Sequence, residues 1–200
     1  MSAPDVVIIA SGGANLASLQ FALERQGVGA TVSADPERIR AASHVILPGV
    51  GAADDAMRRL RAARLDRVIP QLTQPVLGIC LGMQLLHAAS DEGPTDCLGI
   101  IPGRAQRFAD LPGHPVPHMG WNTLTIATPS SLLEGLTGAD YAYFVHSYAL
   151  PCAAATIATT HYGQEFSACV QWRNFYGAQF HPERSSLVGA RILANFLRLH

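Results

Sequence analysis

The sequence predicts an α/β fold, an open and mostly parallel twisted sheet flanked by helices, with extra antiparallel strands in its second half. Three observations point there. In the first half, short β-branched runs alternate with longer segments of helical period. The run Val6-Val7-Ile8-Ile9 is apolar throughout, as a strand covered on both faces would be. Beyond Gly99, short apolar or alternating runs follow one another with turn residues between them, the pattern of partly antiparallel strands.

Taken in order, Asp5 to Ala10 is a buried strand, and Ser11-Gly12-Gly13-Ala14 breaks it. Asn15 to Gln26 is a helix on Leu16, Leu19, Ala22 and Leu23, stopped by Gly27. Ala30 to Ser33 is a second strand. Asp35-Pro36-Glu37 supplies a cap, a first-position proline and an acid for a short helix. His44 to Leu47 is the third strand, and Ala52 to Ile69 reads as one Ala/Leu/Arg-rich helix limited by Pro70, its arginines solvated. Pro75 to Cys80 is the fourth strand, running into a helix over Leu81 to Ala89 with Leu81, Leu85, Leu86 and Ala89 in phase. The later strands are Thr123 to Thr128, Tyr141 to Ser147, Ala155 to His161, Phe166 to Trp172 and Tyr176 to Phe180. The Pro/Gly-rich stretch Leu111 to Gly120 reads as a surface loop. Arg184 to Leu199 closes the chain as an amphipathic helix with Leu187, Ala190, Leu193, Ala194 and Leu197 on one stripe.

Composition narrows the function classes. Two hundred residues, 48% hydrophobic and 14% charged, suit one globular domain, 1–200, that needs no disulfides. A net charge of −1 gives no field for phosphate backbones or anionic lipid, so neither nucleic acid nor a membrane surface is expected as a partner. The four cysteines form no C-x2-C or Cys/His cluster, so no metal and no cofactor are implied. The apolar run near the start is too short for a signal peptide or a span, which points to the reducing cytoplasm and free thiols.

Gly78-Ile79-Cys80-Leu81-Gly82 has the form G-x-C-x-G at a strand-to-helix junction, the thiol counterpart of the nucleophile elbow. A turn sharp enough to lift one side chain above the sheet crowds the residues two either way, which favours glycine at both. The helix N-terminus would lower the thiol pKa and offer N–H groups to an oxyanion. A buried structural cysteine with two packing glycines fits the pentapeptide equally well. A thiolate needs a proton carrier, and His181 in Gln179-Phe180-His181-Pro182-Glu183 follows a strand, with Glu183 placed to fix its tautomer. His87 and His146 look like packing or backbone-bonded groups. Pro48-Gly49-Val50-Gly51 is by itself an ordinary glycine turn, but it falls with Cys80 at the carboxyl ends of the strands, where open α/β sheets bind ligands.

Together these motifs resemble the class I (triad) glutamine amidotransferases, over nearly the whole chain, and imply their flavodoxin-like sheet. Within that family PGVG, GICLGMQLL, HMGWN (His118 to Asn122), YFVHSY (Tyr143 to Tyr148) and GAQFHPE (Gly177 to Glu183) are similar to the glutaminase subunits of imidazole glycerol phosphate synthase. The resemblance implies Cys80 as nucleophile, His181 as general acid/base and Glu183 as its orienter. It places Gln84 and Glu92 against substrate glutamine, the backbone of Ser147 and Tyr148 at its α-carboxylate, and the Pro48 to Gly51 loop and Leu81 at the oxyanion, with Gly49 freeing the peptide and Gly51 and Leu81 donating N–H. Trp121, Asn122, Tyr143 and Arg184 would face a TIM-barrel cyclase subunit in a heterodimer that uses the ammonia in histidine biosynthesis. The two aromatics alone fit core packing as well. Two departures stand out: Ala10-Ser11-Gly12-Gly13-Ala14-Asn15 lacks the Asp-Tyr-Gly of many relatives, and Arg184 stands where lysine is common. The cysteine and histidine motifs alone also fit a glutaminase for another synthase, such as that of pyridoxal phosphate, or a catalytically silent binding subunit.

Overall fold

The structure is a computed structural model that describes residues 4–10 and 16–200. Three strands form from uninterrupted buried runs: β1 (Val6–Ile9), β3 (His44–Gly49) and β4 (Val76–Cys80). Between them lie α1 (Leu16–Glu24), the more exposed strand β2 (Ala30–Ser33), α2 (Pro36–Ala41), α3 (Ala53–Ala62) and α4 (Leu65–Val68). The carboxylate of Asp35 accepts the Glu37 N–H and caps α2 as its sequence predicts. The break at residues 11–14, and the predicted first residue of α1, lie outside the described residues.

The second half adds α5 (Leu81–Leu85), β5 (His87–Ser90), β6 (Thr95–Asp96), β7 (Ile101–Arg107), β8 (His118–Thr123), β9 (Thr125–Ile126), β10 (Tyr141–His146) and β11 (Tyr148–Ala149). It ends with β12 (Thr156–Tyr162), β13 (Gln164–Trp172), β14 (Phe175–Ala178) and α6 (Ser186–Phe196). The main sheet has eight strands in the order β2-β1-β3-β4-β14-β13-β12-β9. Pairing is parallel from β2 to β14 and antiparallel from β14 to β9, as the two halves of the sequence anticipate. A separate ribbon pairs β8 with β10, and a small sheet runs β11-β7-β5-β6.

Because side chains alternate along a strand, one sheet feeds two cores. Ile8, Ile46 and Ile79 face α1 and α6 with Leu23, Ile192 and Phe196; Val7, Val45 and Leu47 face the other helices with Ile39, Met57 and Leu60. Each fully buried aliphatic side chain contributes roughly 1.5–3 kcal/mol. No helix among the described residues is long and apolar enough to cross a membrane.

Several predicted boundaries give way to tertiary contacts. The helix expected over Ala52 to Ile69 is split at Arg64, which takes a left-handed conformation (φ +57°), and a 3-10 turn over Ile69–Gln71 carries Pro70. The helix expected through Ala89 ends at Leu85. The carbonyls of Leu85, Leu86 and His87 accept N–H groups from residues 98–101 instead of from the next helical turn, and His87 Nδ1 takes the carbonyl of Met83, so the chain continues as β5. Residues 118–120, read as loop, belong to β8, and only Thr125–Ile126 of the strand predicted from Thr123 to Thr128 forms β9. In α6 the buried face is Gly189, Ile192, Leu193, Asn195 and Phe196; of the predicted stripe only Leu193 is buried, and Leu187 is 84% exposed.

Candidate active site

β4 ends at Cys80, and α5 begins on the next residue, so the chain turns within one peptide. Cys80 carries the strain of that turn, at φ +53° and ψ −113°. The flanking glycines are required by contact. A Cβ on Gly82 would lie 1.8 Å from the Leu47 carbonyl oxygen, and one on Gly78 would lie 2.8 Å from the Gly82 backbone. A Cβ on Gly49, paired with Cys80 across β3 and β4, would lie 2.8 Å from the Gly82 nitrogen, so the Pro48 to Gly51 loop sits hard against the elbow.

β14 lies parallel to β4, with Ala178 opposite Ile79, so Gln179 and His181 leave the sheet beside Cys80. Backbone bonds and a serine hold His181 in place. Its N–H donates to the Tyr143 carbonyl at 3.1 Å, and its carbonyl accepts the Arg184 N–H at 3.0 Å and the Ser185 hydroxyl at 2.7 Å; Ser185 Oγ in turn accepts the Tyr143 N–H at 2.9 Å. Gln179 Nε2 donates to Cys80 Sγ at 3.8 Å, a long contact to sulfur.

His181 Nδ1 is 2.9 Å from Glu183 Oε1. A carboxylate only accepts, so Nδ1 carries the proton and Nε2 is left for the thiol. Burial opposes a charge on this ring, but hydrogen bonding to Cys80 and Glu183 and their negative charge outweigh it and raise its pKa to about 10. The other oxygen of Glu183, Oε2, is buried and has no hydrogen-bond partner among the described residues.

Two cavities flank this group. The larger, about 350 Å³, is lined by Cys80 and His181 together with Gly51, Leu81, Gln84, Glu92, Ser147 and Tyr148. The smaller, about 150 Å³, lies beyond His181 and is lined by Gly49, Ile79, Glu183 and Arg184. Gly49 thus sits on the far cavity, whereas the other residues predicted to meet substrate gather in the near one. Gln84 is buried and its amide is already committed, donating to the Tyr148 carbonyl at 2.9 Å and to Gln179 Oε1 at 3.0 Å. Glu92 accepts the N–H of Ala53 at the start of α3 at 2.9 Å; burial raises its pKa.

Trp121, Tyr143 and Arg184 form one surface group. Trp121 is 52% exposed and meets Tyr143 edge-on at 5.8 Å between ring centres, and the Arg184 guanidinium lies 5.0 Å from the Tyr143 ring centre. Met119, 63% exposed, extends the same outer face of the β8-β10 ribbon. Asn122, the next residue along β8, points to the opposite face and bonds His118 and the His161 carbonyl. Gln179 is the site residue that the motif reading passed over, although a buried amide in an otherwise apolar strand end was visible in Gly-Ala-Gln-Phe.

An open, mostly parallel sheet with a strained cysteine at one strand end and a histidine–carboxylate pair at the next is the arrangement of a glutamine amidotransferase in the resemblance above, and this chain belongs to the family of glutamine amidotransferase class-I proteins, whose model matches residues 9–199. Its curated relatives are more particular. It is 52% identical over 195 residues to the imidazole glycerol phosphate synthase subunit HisH of Xanthomonas campestris, and 49% identical over 195 residues to the subunit of that name from Idiomarina loihiensis; each alignment covers 98% of both chains. Among solved structures it resembles a glutamine amidotransferase (TM-score 0.74, 20% identity, 96% of each chain) and PurLQS from Thermotoga maritima (TM-score 0.72, 18% identity, 98% of each chain). At those identities the structural likeness speaks for the fold.

Proposed function

We propose that this chain is the glutaminase subunit of imidazole glycerol phosphate synthase, with Cys80, His181 and Glu183 as its catalytic triad. The observation that carries the chemical reading is the seating of Cys80 on a strained elbow beside an imidazole whose far nitrogen is fixed by Glu183, at the wall of a cavity of about 350 Å³. The relatives of that name, matching nearly end to end, support the choice of synthase.

In this reading the Cys80 thiolate attacks the side-chain carboxamide carbon of glutamine, and the oxyanion is met by N–H groups of Gly51 and Leu81. His181 gives its Nε2 proton to the departing nitrogen, and ammonia leaves. Nε2 then takes a proton from water, whose oxygen attacks the γ-glutamyl thioester; glutamate forms and the thiol is restored. Glu183 accepts from Nδ1 and holds the ring in register. The backbone of Ser147 and Tyr148 receives the α-carboxylate of the substrate, and Gln84 and Glu92 complete the pocket.

Ammonia is used on another chain, a TIM-barrel cyclase docked on the Trp121, Tyr143 and Arg184 face. The small cavity supports that direction, since it lies between His181 and Arg184, on the side of the triad away from the substrate pocket. The test is to measure glutamate release from glutamine by the subunit alone, with the cyclase of the same organism, and with that cyclase holding its ligand. Stimulation by this cyclase and transfer of ammonia into its product are expected. Release that no cyclase changes would overturn the assignment of the partner.

A further inference from the structure

At the wall of the larger cavity, which His146 lines, two buried histidines join a continuous hydrogen-bond chain to which the mechanism above gives no role. The Tyr148 carbonyl is its centre. It accepts from Gln84 Nε2 at 2.9 Å and lies 2.8 Å from His146 Nδ1. A carbonyl cannot donate, so His146 Nδ1 must carry the proton. Burial keeps that ring neutral, pushing its pKa down to about 3, so its Nε2 is bare and can only accept. Its neighbour, 3.2 Å away, is His118 Nδ1, which must therefore be the donor. His118 is also kept neutral by burial, pushed down to about 4, which leaves its own Nε2 bare to accept from Asn122 Nδ2 at 3.3 Å. The Asn122 amide is oriented independently, because its Oδ1 accepts the Thr123 N–H at 2.8 Å and its Nδ2 also donates to the His161 carbonyl at 2.9 Å.

Every proton in the chain therefore has one permitted position, and the donors all point from Asn122 on β8 toward the Tyr148 carbonyl. On the other side of that carbonyl the order continues through Gln84 to Gln179 and the Cys80 sulfur. The rings cannot swing out of line. His118 stacks on Tyr162 at 4.1 Å and on Phe144 at 5.0 Å, and His146 packs against Phe108 and Phe166 at 5.2 Å each.

We infer that His118 and His146 are a positioning pair for glutamine: they hold the Ser147–Tyr148 backbone, where the substrate α-carboxylate is received, from behind. This rests on the glutaminase reading above, in which that backbone binds substrate in ground state and transition state alike. Loss of the pair therefore raises KM and leaves kcat nearly untouched.

Two measurements on the full chain test this. The imidazole nitrogen shifts of both histidines, read by NMR at neutral pH, should show the neutral form protonated at Nδ1; an Nε2-protonated or charged ring at either position would overturn the network whatever the kinetics. In glutaminase assays with the cyclase present, His146→Phe should raise KM for glutamine about tenfold with kcat within about threefold, the loss of one hydrogen bond to a binding group. His146→Asn, whose amide can donate to the Tyr148 carbonyl from near the Nδ1 position, should recover most of that loss. A purely structural role predicts equal damage from both variants, and that result, or an unchanged KM in His146→Phe, would overturn the inference. If His146→Phe fails to fold, His118→Phe against His118→Asn is read the same way, since phenylalanine keeps the stack on Tyr162 and Phe144 and deletes the bond to His146. The parent chain with the cyclase, run alongside, separates the outcomes: no glutamate release from glutamine would sink the glutaminase reading and leave the NMR result standing.

Discussion

His181 Nδ1 and Glu183 Oε1 are 2.9 Å apart with both side chains nine-tenths buried, and the pair spans a single proline. Glu183 and the Cys80 thiol hold the folded-state imidazole pKa near 10, above the unfolded value of 6.5. A raised pKa stabilises the fold fully below 6.5, and that contribution is lost as pH rises through about 10. Glu183→Gln removes the charge, so His181 should titrate at lower pH, and the stabilisation should be smaller and be used up at a lower pH. NMR titration of His181 in the two proteins checks this; an unmoved midpoint would remove Glu183 as a cause. In activity, Glu183→Gln should leave more turnover than His181→Ala, because it weakens orientation without deleting the proton carrier.

Cys80→Ala should abolish glutamate release and leave the fold intact, since it removes one sulfur atom at the wall of a cavity. Synthesis from added ammonia by the complex should survive. Turnover of glutamine at the parent rate would show that the nucleophile lies elsewhere.

Gly82→Ala should be among the most damaging single methyl additions in the chain. Its Cβ would meet the Leu47 carbonyl oxygen at 1.8 Å, and neither the strand nor the elbow can retreat without moving the other. A loss of at least about 3 kcal/mol is expected, or failure to fold. Urea unfolding measures it, and a change below about 0.5 kcal/mol would show that the elbow is slack.

Trp121→Ala should weaken association with the cyclase by about 2 kcal/mol, roughly thirtyfold, as truncation of an aromatic interface anchor does. Its half-exposed ring already meets solvent in the isolated chain, so the subunit's own stability should change little. Equal affinities for parent and variant in a binding titration would move the docking face elsewhere.

What could be read from the residues was whatever left a local pattern. The buried runs of β1, β3 and β4 announced themselves by composition, and the elbow by two glycines that the backbone needs. The strands β5 and β7 left no such trace. His87-Ala88-Ala89-Ser90 is too small and mild to oppose a helical reading, and β7 contains Pro102 and Gly103; both exist because each pairs with the other across a long loop. The buried face of α6 was misjudged because its key residue has no side chain. A Cβ on Gly189 would lie 1.8 Å from the Pro182 carbonyl oxygen, so the helix is docked by its glycine, and Asn195 on that face donates to the carbonyls of Leu132 and Glu134. A search for large apolar residues passes over both. The tautomers of His118 and His146 leave no local pattern either, since that of His118 is decided by a partner 28 positions away.

The adjacency of β4 and β14 has a consequence for how such a subunit can diversify. The proposed nucleophile and proton carrier follow the ends of two strands bonded to each other in register, so that ladder brings them side by side. The ribbon β8-β10 and the small sheet of β5, β6, β7 and β11 lie outside that ladder. The ribbon seats His181 through its backbone at Tyr143, so side-chain changes on its outer face can reshape the docking face and leave those bonds in place. Changing partners is thereby uncoupled from losing the reaction, and one hydrolytic engine can be passed among acceptor enzymes by rewriting its periphery.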